Sequence, residues 1–122
     1  FSKLYVLEKL SIGIDIVKIN RFRKLPYIKN KKFYNKIFTK SEITYCIKYK
    51  DPYPHFAVRF AGKEAVIKSI KNKIEMKDIE ISHKKSKPFI KILKKNSFMI
   101  HISLSHDGEY AIAMIISEKK LN

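Results

Sequence analysis

Cysteine is nearly missing from this chain. Cys46 stands alone among 122 residues, which excludes an intrachain disulfide framework and, in an apolar helical setting, makes it a small buried hydrophobe. Glycine is scarce too, and with only Gly13, Gly62 and Gly108 neither a Walker loop nor a GxGxxG turn can be written. His55, His83, His101 and His106 show no ligand spacing, so a zinc centre is disfavoured. No apolar run approaches the ~18 residues of a membrane span. The N-terminal FSKLYVLEKLSIGIDIV is interrupted by Lys3, Glu8 and Lys9, so neither a transmembrane helix nor an intact signal peptide is expected. The compartment is read as cytoplasmic, or as organellar of plastid type if a targeting segment upstream of Phe1 has been removed.

Acidic residues are few, 11 against 27 Lys and Arg, for a net charge of +16. Such a surface attracts polyanions without choosing among nucleic acid, membrane, phosphorylated small molecules and acidic proteins. Only Arg21, Arg23 and Arg59 among the cations are arginine, and the heavy use of Lys with Asn and Ile fits a nucleotide bias, so net charge is discounted as a functional signal. Length and a 45% hydrophobic content fit one domain over residues 1–122, with 1–10 read as an N-terminal extension.

Ser11 to Ile19 reads as a strand, apolar on both faces except for Asp15. Asn20 is placed to cap a short basic helix, Arg21 to Leu25, closed by Pro26. Phe33, Tyr34, Ile37 and Phe38 have helical spacing, and Thr39-Lys40-Ser41-Glu42 forms a capping box for a helix with Ile43, Cys46 and Ile47 inward. After Asp51-Pro52, Pro54 to Ile70 reads as a central helix ended by Asn72 and Lys73; its stripe of Ala57, Phe60, Ala61 and Ile67 carries Glu64 near the middle. Strands follow at Met76 to His83 and from Pro88, with Lys84 to Lys87 as their turn. Asn96-Ser97 precedes alternating Ile100, Ile102 and Leu104, and Asp107-Gly108 turns the chain into a partner strand, Glu109 to Ser117. The expected fold is α+β, with an early strand, a helical middle and a C-terminal antiparallel meander on which the helices pack.

Asp15 and Glu64 are carboxylates in apolar settings, where an unpaired charge is costly. Asp15 on a strand and Glu64 beside Lys68 each have a plain reading, as a capping aspartate and as one half of an i,i+4 ion pair. One explanation covers both: Mg²⁺ is commonly held by one or two carboxylates plus substrate phosphates. A Ser-His hydrolase through Ser105 and His106 is disfavoured, because adjacent strand residues point to opposite faces.

Four segments, GIDIVKINRF, FTKSEITYC, HFAVRFAGKEAVIKSI and HISLSHDGEYAIAMII, resemble in order the motifs of holo-[acyl-carrier-protein] synthase, the short single-domain branch of the 4′-phosphopantetheinyl transferases. The resemblance implies Mg²⁺-dependent transfer of the 4′-phosphopantetheine arm of coenzyme A to a serine of apo acyl carrier protein, in fatty acid biosynthesis, with release of adenosine 3′,5′-bisphosphate. It further implies a homotrimer with sites at subunit interfaces. By motif, Asp15 and Glu64 match the metal ligands and Lys68 the lysine on the phosphates, giving Asp15, Glu64 and Lys68 as the catalytic set. Arg59, Lys63, Lys68 and His106 match positions near coenzyme A, and Arg21 a contact to the acidic carrier protein. Gly62 stands where the family usually has alanine, and Ser86-Lys87-Pro88 where Gly-Lys-Pro is common. Neither a nucleic acid nor a membrane partner is expected. A lysine-rich nucleic-acid module that stacks bases on exposed aromatics and a catalytically dead scaffold are the competing readings.

Overall fold

Strand β1 (Leu10–Lys18) alternates strictly in the computed structural model, which describes residues 9–70 and 73–120. Gly13, Asp15 and Val17 turn inward while Ile12, Ile14 and Ile16 are exposed. Of the expected N-terminal extension, 1–8 lie outside the described residues; Leu10 already belongs to β1, paired with Glu118.

The chain passes directly from β1 into helix α1 (Asn20–Arg23). Its N-cap is Ile19, with no side-chain cap, so Asn20 does not take the capping role its sequence suggests. The reason is register: the Ile19 amide donates to the Glu109 carbonyl at 2.8 Å, still bound to the sheet, while its own carbonyl accepts from Phe22 and Arg23. A 3₁₀ turn (Tyr27–Lys29), α2 (Lys31–Ile37), α3 (Lys40–Ile47) and α4 (Tyr53–Ser69) follow. The Thr39 box is present: Glu42 N–H donates to Thr39 Oγ1 at 3.3 Å, and Thr39 N–H to Glu42 Oε1 at 2.9 Å. Cys46 is buried as expected, whereas Ile47, expected inward, is 48% exposed. Helix α4 ends at Ser69, because Ile70 is already extended, short of the expected stop; Asn72 lies outside the described residues.

The C-terminal half holds β2 (Ile79–Lys84), β3 (Lys87–Ile92), β4 (Phe98–Asp107) and β5 (Tyr110–Lys119), all in antiparallel pairings. They do not make one continuous meander. β5 sits centrally in a three-stranded sheet of order β1-β5-β4, and β2-β3 is a separate hairpin. Aromatic rings fill the space between the helices: Phe22, Tyr34, Phe38 and Phe56 are buried, with Tyr34 and Phe56 4.7 Å apart. Those rings are withdrawn from any base-stacking platform. Among the described residues no helix is long and apolar enough to cross a membrane.

Helix α4 is the axis of the molecule. It lies on β1 and β5 on one side and on α1, α3 and β2 on the other. It is therefore buried around most of its girth rather than along the single stripe the periodicity suggests, and Arg59 and Lys63 are 1% and 0% exposed. A Cβ at Gly13 would stand 2.0 Å from the Ala65 carbonyl oxygen, so only glycine permits β1 to approach α4 this closely.

Candidate active site

That close approach brings Asp15 beneath the last turns of α4. Lys68 Nζ donates to Asp15 Oδ1 at 2.8 Å and to the Ile14 carbonyl at 3.1 Å. The Asp15 hydrogen bond raises the Lys68 pKa above its ordinary 10.5, with Glu64 adding a smaller pull in the same direction. Glu64, one turn before Lys68, is half-buried and has no hydrogen bond or ion pair among the described residues. The i,i+4 pair between Glu64 and Lys68 is thus not formed, and the lysine crosses to the strand instead. A shallow pocket of about 290 Å³ opens here, lined by Ile14, Asp15, Ile16, Lys68 and Ile112.

A second group gathers at the other end of α4. Arg59 Nη2 donates to His83 Nδ1 at 3.0 Å and Nη1 to the His55 carbonyl at 3.2 Å, and its guanidinium lies 4.2 Å from the centre of the Tyr45 ring. Its Nε is buried without a hydrogen-bond partner among the described residues. The Tyr45 and His83 rings stack at 5.1 Å, Tyr49 and His55 at 3.7 Å, and His106 approaches His55 edge-on at 6.3 Å. Burial first, and then the Arg59 charge, lower the pKa values of both His55 and His83 from 6.5. A cleft of about 560 Å³ lies between Lys40 and Tyr45 on α3, Lys48 just past its end, Arg59 on α4 and Ser82 and His83 on β2.

The sequence-derived residues therefore fall into two groups and two outliers. Asp15, Glu64 and Lys68 come together, and so do Arg59 and His106 through His55. Lys63 joins neither: its Nζ is buried against Glu42 Oε1 at 2.6 Å, so the expectation that it meets coenzyme A is corrected. The cause is helical spacing, which turns Lys63 away from Lys68 and into the space under α3. Arg21 is exposed, its guanidinium 5.4 Å from the Phe60 ring, on the basic surface of α1. His55, His83, Tyr45 and Tyr49 escaped the sequence reading. The i,i+4 spacings of Tyr45 with Tyr49 and of His55 with Arg59 were the available signals; the pairing of α3 with β2 was not.

Among the described residues no group of three or more His, Cys, Asp or Glu side chains could cage a metal ion. Asp15 with the unpartnered Glu64 carboxylate nevertheless fits Mg²⁺, which needs only one or two carboxylates when phosphate oxygens and waters complete its shell.

The family model for the 4′-phosphopantetheinyl transferase superfamily matches residues 11–115. The chain is 41% identical to a holo-[acyl-carrier-protein] synthase of Thermodesulfovibrio yellowstonii, over 86% of this chain and 95% of that protein. It is also 41% identical to the Chlamydia felis holo-[acyl-carrier-protein] synthase, over 91% and 98%. Among solved structures it is similar to the Bacillus anthracis synthase in complex with CoA (3′,5′-ADP), with a TM-score of 0.78, 31% identity and coverage of 90% and 96%. The Helicobacter pylori synthase in complex with coenzyme A gives a TM-score of 0.73 at 34% identity, covering 88% and 99%.

Proposed function

Since the chain belongs to the 4′-phosphopantetheinyl transferase superfamily, in its holo-[acyl-carrier-protein] synthase branch, we propose that it transfers the 4′-phosphopantetheine arm of coenzyme A to a serine of an acidic apo acyl carrier protein. The reaction is Mg²⁺-dependent, serves fatty acid biosynthesis and releases adenosine 3′,5′-bisphosphate. The observation that carries this reading is the convergence of Asp15, Glu64 and Lys68 where β1 crosses α4.

Phosphoryl transfer asks little covalent chemistry of a protein; alignment and charge neutralisation supply most of the effect. Asp15 and Glu64 would hold Mg²⁺, which when bound neutralises diphosphate charge. Lys68 carries a firmly held proton and lies beside Asp15, so it is suited to offset negative charge growing on the leaving bisphosphate. Glu64 has no hydrogen bond or ion pair among the described residues, so its carboxylate oxygen not turned to the metal would take the proton of the attacking serine hydroxyl. At the far end of α4, Arg59 presents a buried donor without an acceptor, and Lys40, Lys48 and His106 stand near it. A nucleotide phosphate would supply that acceptor. Arg59 and Lys68, nine residues apart on α4, are separated by about 13.5 Å along the helix axis.

A homotrimer is part of this proposal. Ile12, Ile14 and Ile16 on β1 and Ile112 and Met114 on β5 form an exposed apolar face, and Asp15 and Lys68 open onto its edge. A neighbouring copy seated there would cover the apolar face and close one wall of the site. The exposed Arg21 of α1 would steer the acidic carrier protein.

The deciding experiment incubates the protein with coenzyme A, Mg²⁺ and apo acyl carrier protein and follows the mass gain of the carrier. Mass gain in wild type that disappears in Asp15→Ala and Glu64→Ala, both still folded, supports the assignment. Full activity in either variant removes its residue from the metal site, and no gain in wild type defeats the function.

A further inference from the structure

Among the described residues, the most deeply buried ion pair lies under the cleft rather than in it. Glu42 and Lys63 have side chains with no solvent exposure. Lys63 Nζ is 2.6 Å from Glu42 Oε1 and donates to the carbonyls of Ile37 at 2.8 Å and Met76 at 3.0 Å. An ammonium has three protons and this one finds three acceptors, so the charged form is the one the site is built for. Burial pulls the Lys63 pKa down, and Glu42 opposes that pull.

The carboxylate is equally committed. Glu42 Oε1 also accepts from Thr39 N–H at 2.9 Å, and Oε2 accepts from the Ile81 amide at 2.9 Å. Thr39 Oγ1 reaches Glu80 Oε2 at 2.7 Å beside it. One pair therefore ties the end of α2, the start of α3, the middle of α4, the 3₁₀ turn at Met76–Asp78 and strand β2. The consequence falls on β2, whose hairpin has no ladder to the three-stranded sheet. Ser82 and His83, which follow Ile81 directly, are one wall of the cleft; Tyr45 on α3, Lys48 just past its end and Arg59 on α4 are the others. An apolar pair of the same volume would serve stability about as well, but could not accept from the Ile81 amide.

We propose that Glu42 and Lys63 are positioning residues: through the Ile81 amide they hold β2 at the separation from α3 and α4 at which Arg59, His83 and Tyr45 grip the phosphate-bearing end of the substrate. This rests on the phosphopantetheinyl-transfer reading for its substrate, though not for the placement of β2.

The test compares two double variants, Glu42→Leu/Lys63→Met, which is wholly apolar, and Glu42→Gln/Lys63→Met, which keeps an amide oxygen for Ile81. Both lack a buried unpaired charge. In the first, KM for coenzyme A rises about tenfold or more while kcat stays within about twofold, and in the second KM returns to within about threefold of wild type. Amide hydrogen exchange at Ile81 and Ser82 accelerates in the first variant relative to the β4–β5 ladder, and less in the second. Equal KM in wild type and both folded variants, or exchange that rises evenly over the whole chain, would overturn the proposal. If the wholly apolar variant does not fold, Glu42→Met/Lys63→Met, equally without an acceptor for Ile81 but with unbranched side chains that adapt to the space, takes its place and is read by the same ratio of exchange at β2 to exchange at β4–β5. A wild type that transfers nothing from coenzyme A defeats the enzymatic reading alone, and the exchange data still decide whether the pair positions the hairpin.

Discussion

Lys68 Nζ binds Asp15 Oδ1 at 2.8 Å across the gap between α4 and β1, leaving Glu64, its neighbour on the same helix face, without a hydrogen bond or ion pair among the described residues. The bond is possible because Gly13, two residues before Asp15, lets the helix backbone settle against the strand.

Removing either partner should separate chemistry from stability. The Lys68 side chain is 53% exposed, so Lys68→Met is expected to shift stability by only about 0–1 kcal/mol. Transfer activity should fall ~100-fold or more, the scale of losing an electrostatic partner of a transition state. Thermal melts beside a carrier-protein labelling assay measure both, and unimpaired labelling would remove Lys68 from the mechanism.

Two glycine-to-alanine changes should diverge. At Gly13 the new methyl meets the Ala65 backbone oxygen, which cannot give way, so β1 and α4 must part, with a loss of about 1–3 kcal/mol and of activity. At Gly62 it meets Ile81 Cδ1 at 2.6 Å, the far end of a flexible side chain, and the helix gains ~0.8–1 kcal/mol of propensity. Gly62→Ala should therefore be near neutral or stabilising in urea unfolding, with Gly13→Ala clearly destabilised.

The β2–β3 turn carries Lys85 at φ 50° and Ser86 at φ 67°, left-handed values at two residues that have a Cβ. The turn family that needs this geometry favours Asn-Gly. Ser86→Gly is expected to raise stability by roughly 1 kcal/mol, read from the denaturation midpoint.

Acid should weaken the fold before carboxylates titrate. Arg59 can only donate to His83, so His83 Nδ1 must be an unprotonated acceptor, and His55 and His83 both have folded pKa values below 6.5. For histidines shifted in this direction, the stabilising contribution is complete above the unfolded pKa. It is lost as pH falls, because the unfolded chain binds the protons that the fold resists. Melting temperature should decline from about pH 7 to 5.5, and His83→Asn should flatten that decline. A flat wild-type profile would contradict the lowered pKa values of His55 and His83.

The apolar face of β1 offers a test of assembly. Ile12, Ile14 and Ile16 are 69%, 60% and 58% exposed in the isolated chain. Ile14→Lys should convert the proposed trimer to monomer in sedimentation and abolish transfer, with little change in secondary structure. A monomeric wild type that turns over would contradict a shared site.

Much of this protein was determined by local sequence. The alternation of SIGIDIVKI, the Thr39 box, a hairpin at Asp107-Gly108, whose loop closes one residue later over Gly108-Glu109 between the paired Asp107 and Tyr110, and the extent of α4 to within about two residues follow from side-chain period and turn chemistry, and four motifs carried the family. What tertiary structure alone decided is which charges meet. Lys63 and Lys68 lie on the same helix with nothing in their local sequence to rank them, yet one is sealed against Glu42 and the other reaches Asp15 at the surface. The placement of β5 between β1 and β4, and of the β2–β3 hairpin apart from them, is likewise a matter of contacts distant along the chain. Periodicity reports the face a residue occupies, whereas burial of a charge depends on what packs over that face, and that is settled only when the sheet, the helices and the hairpin close around α4.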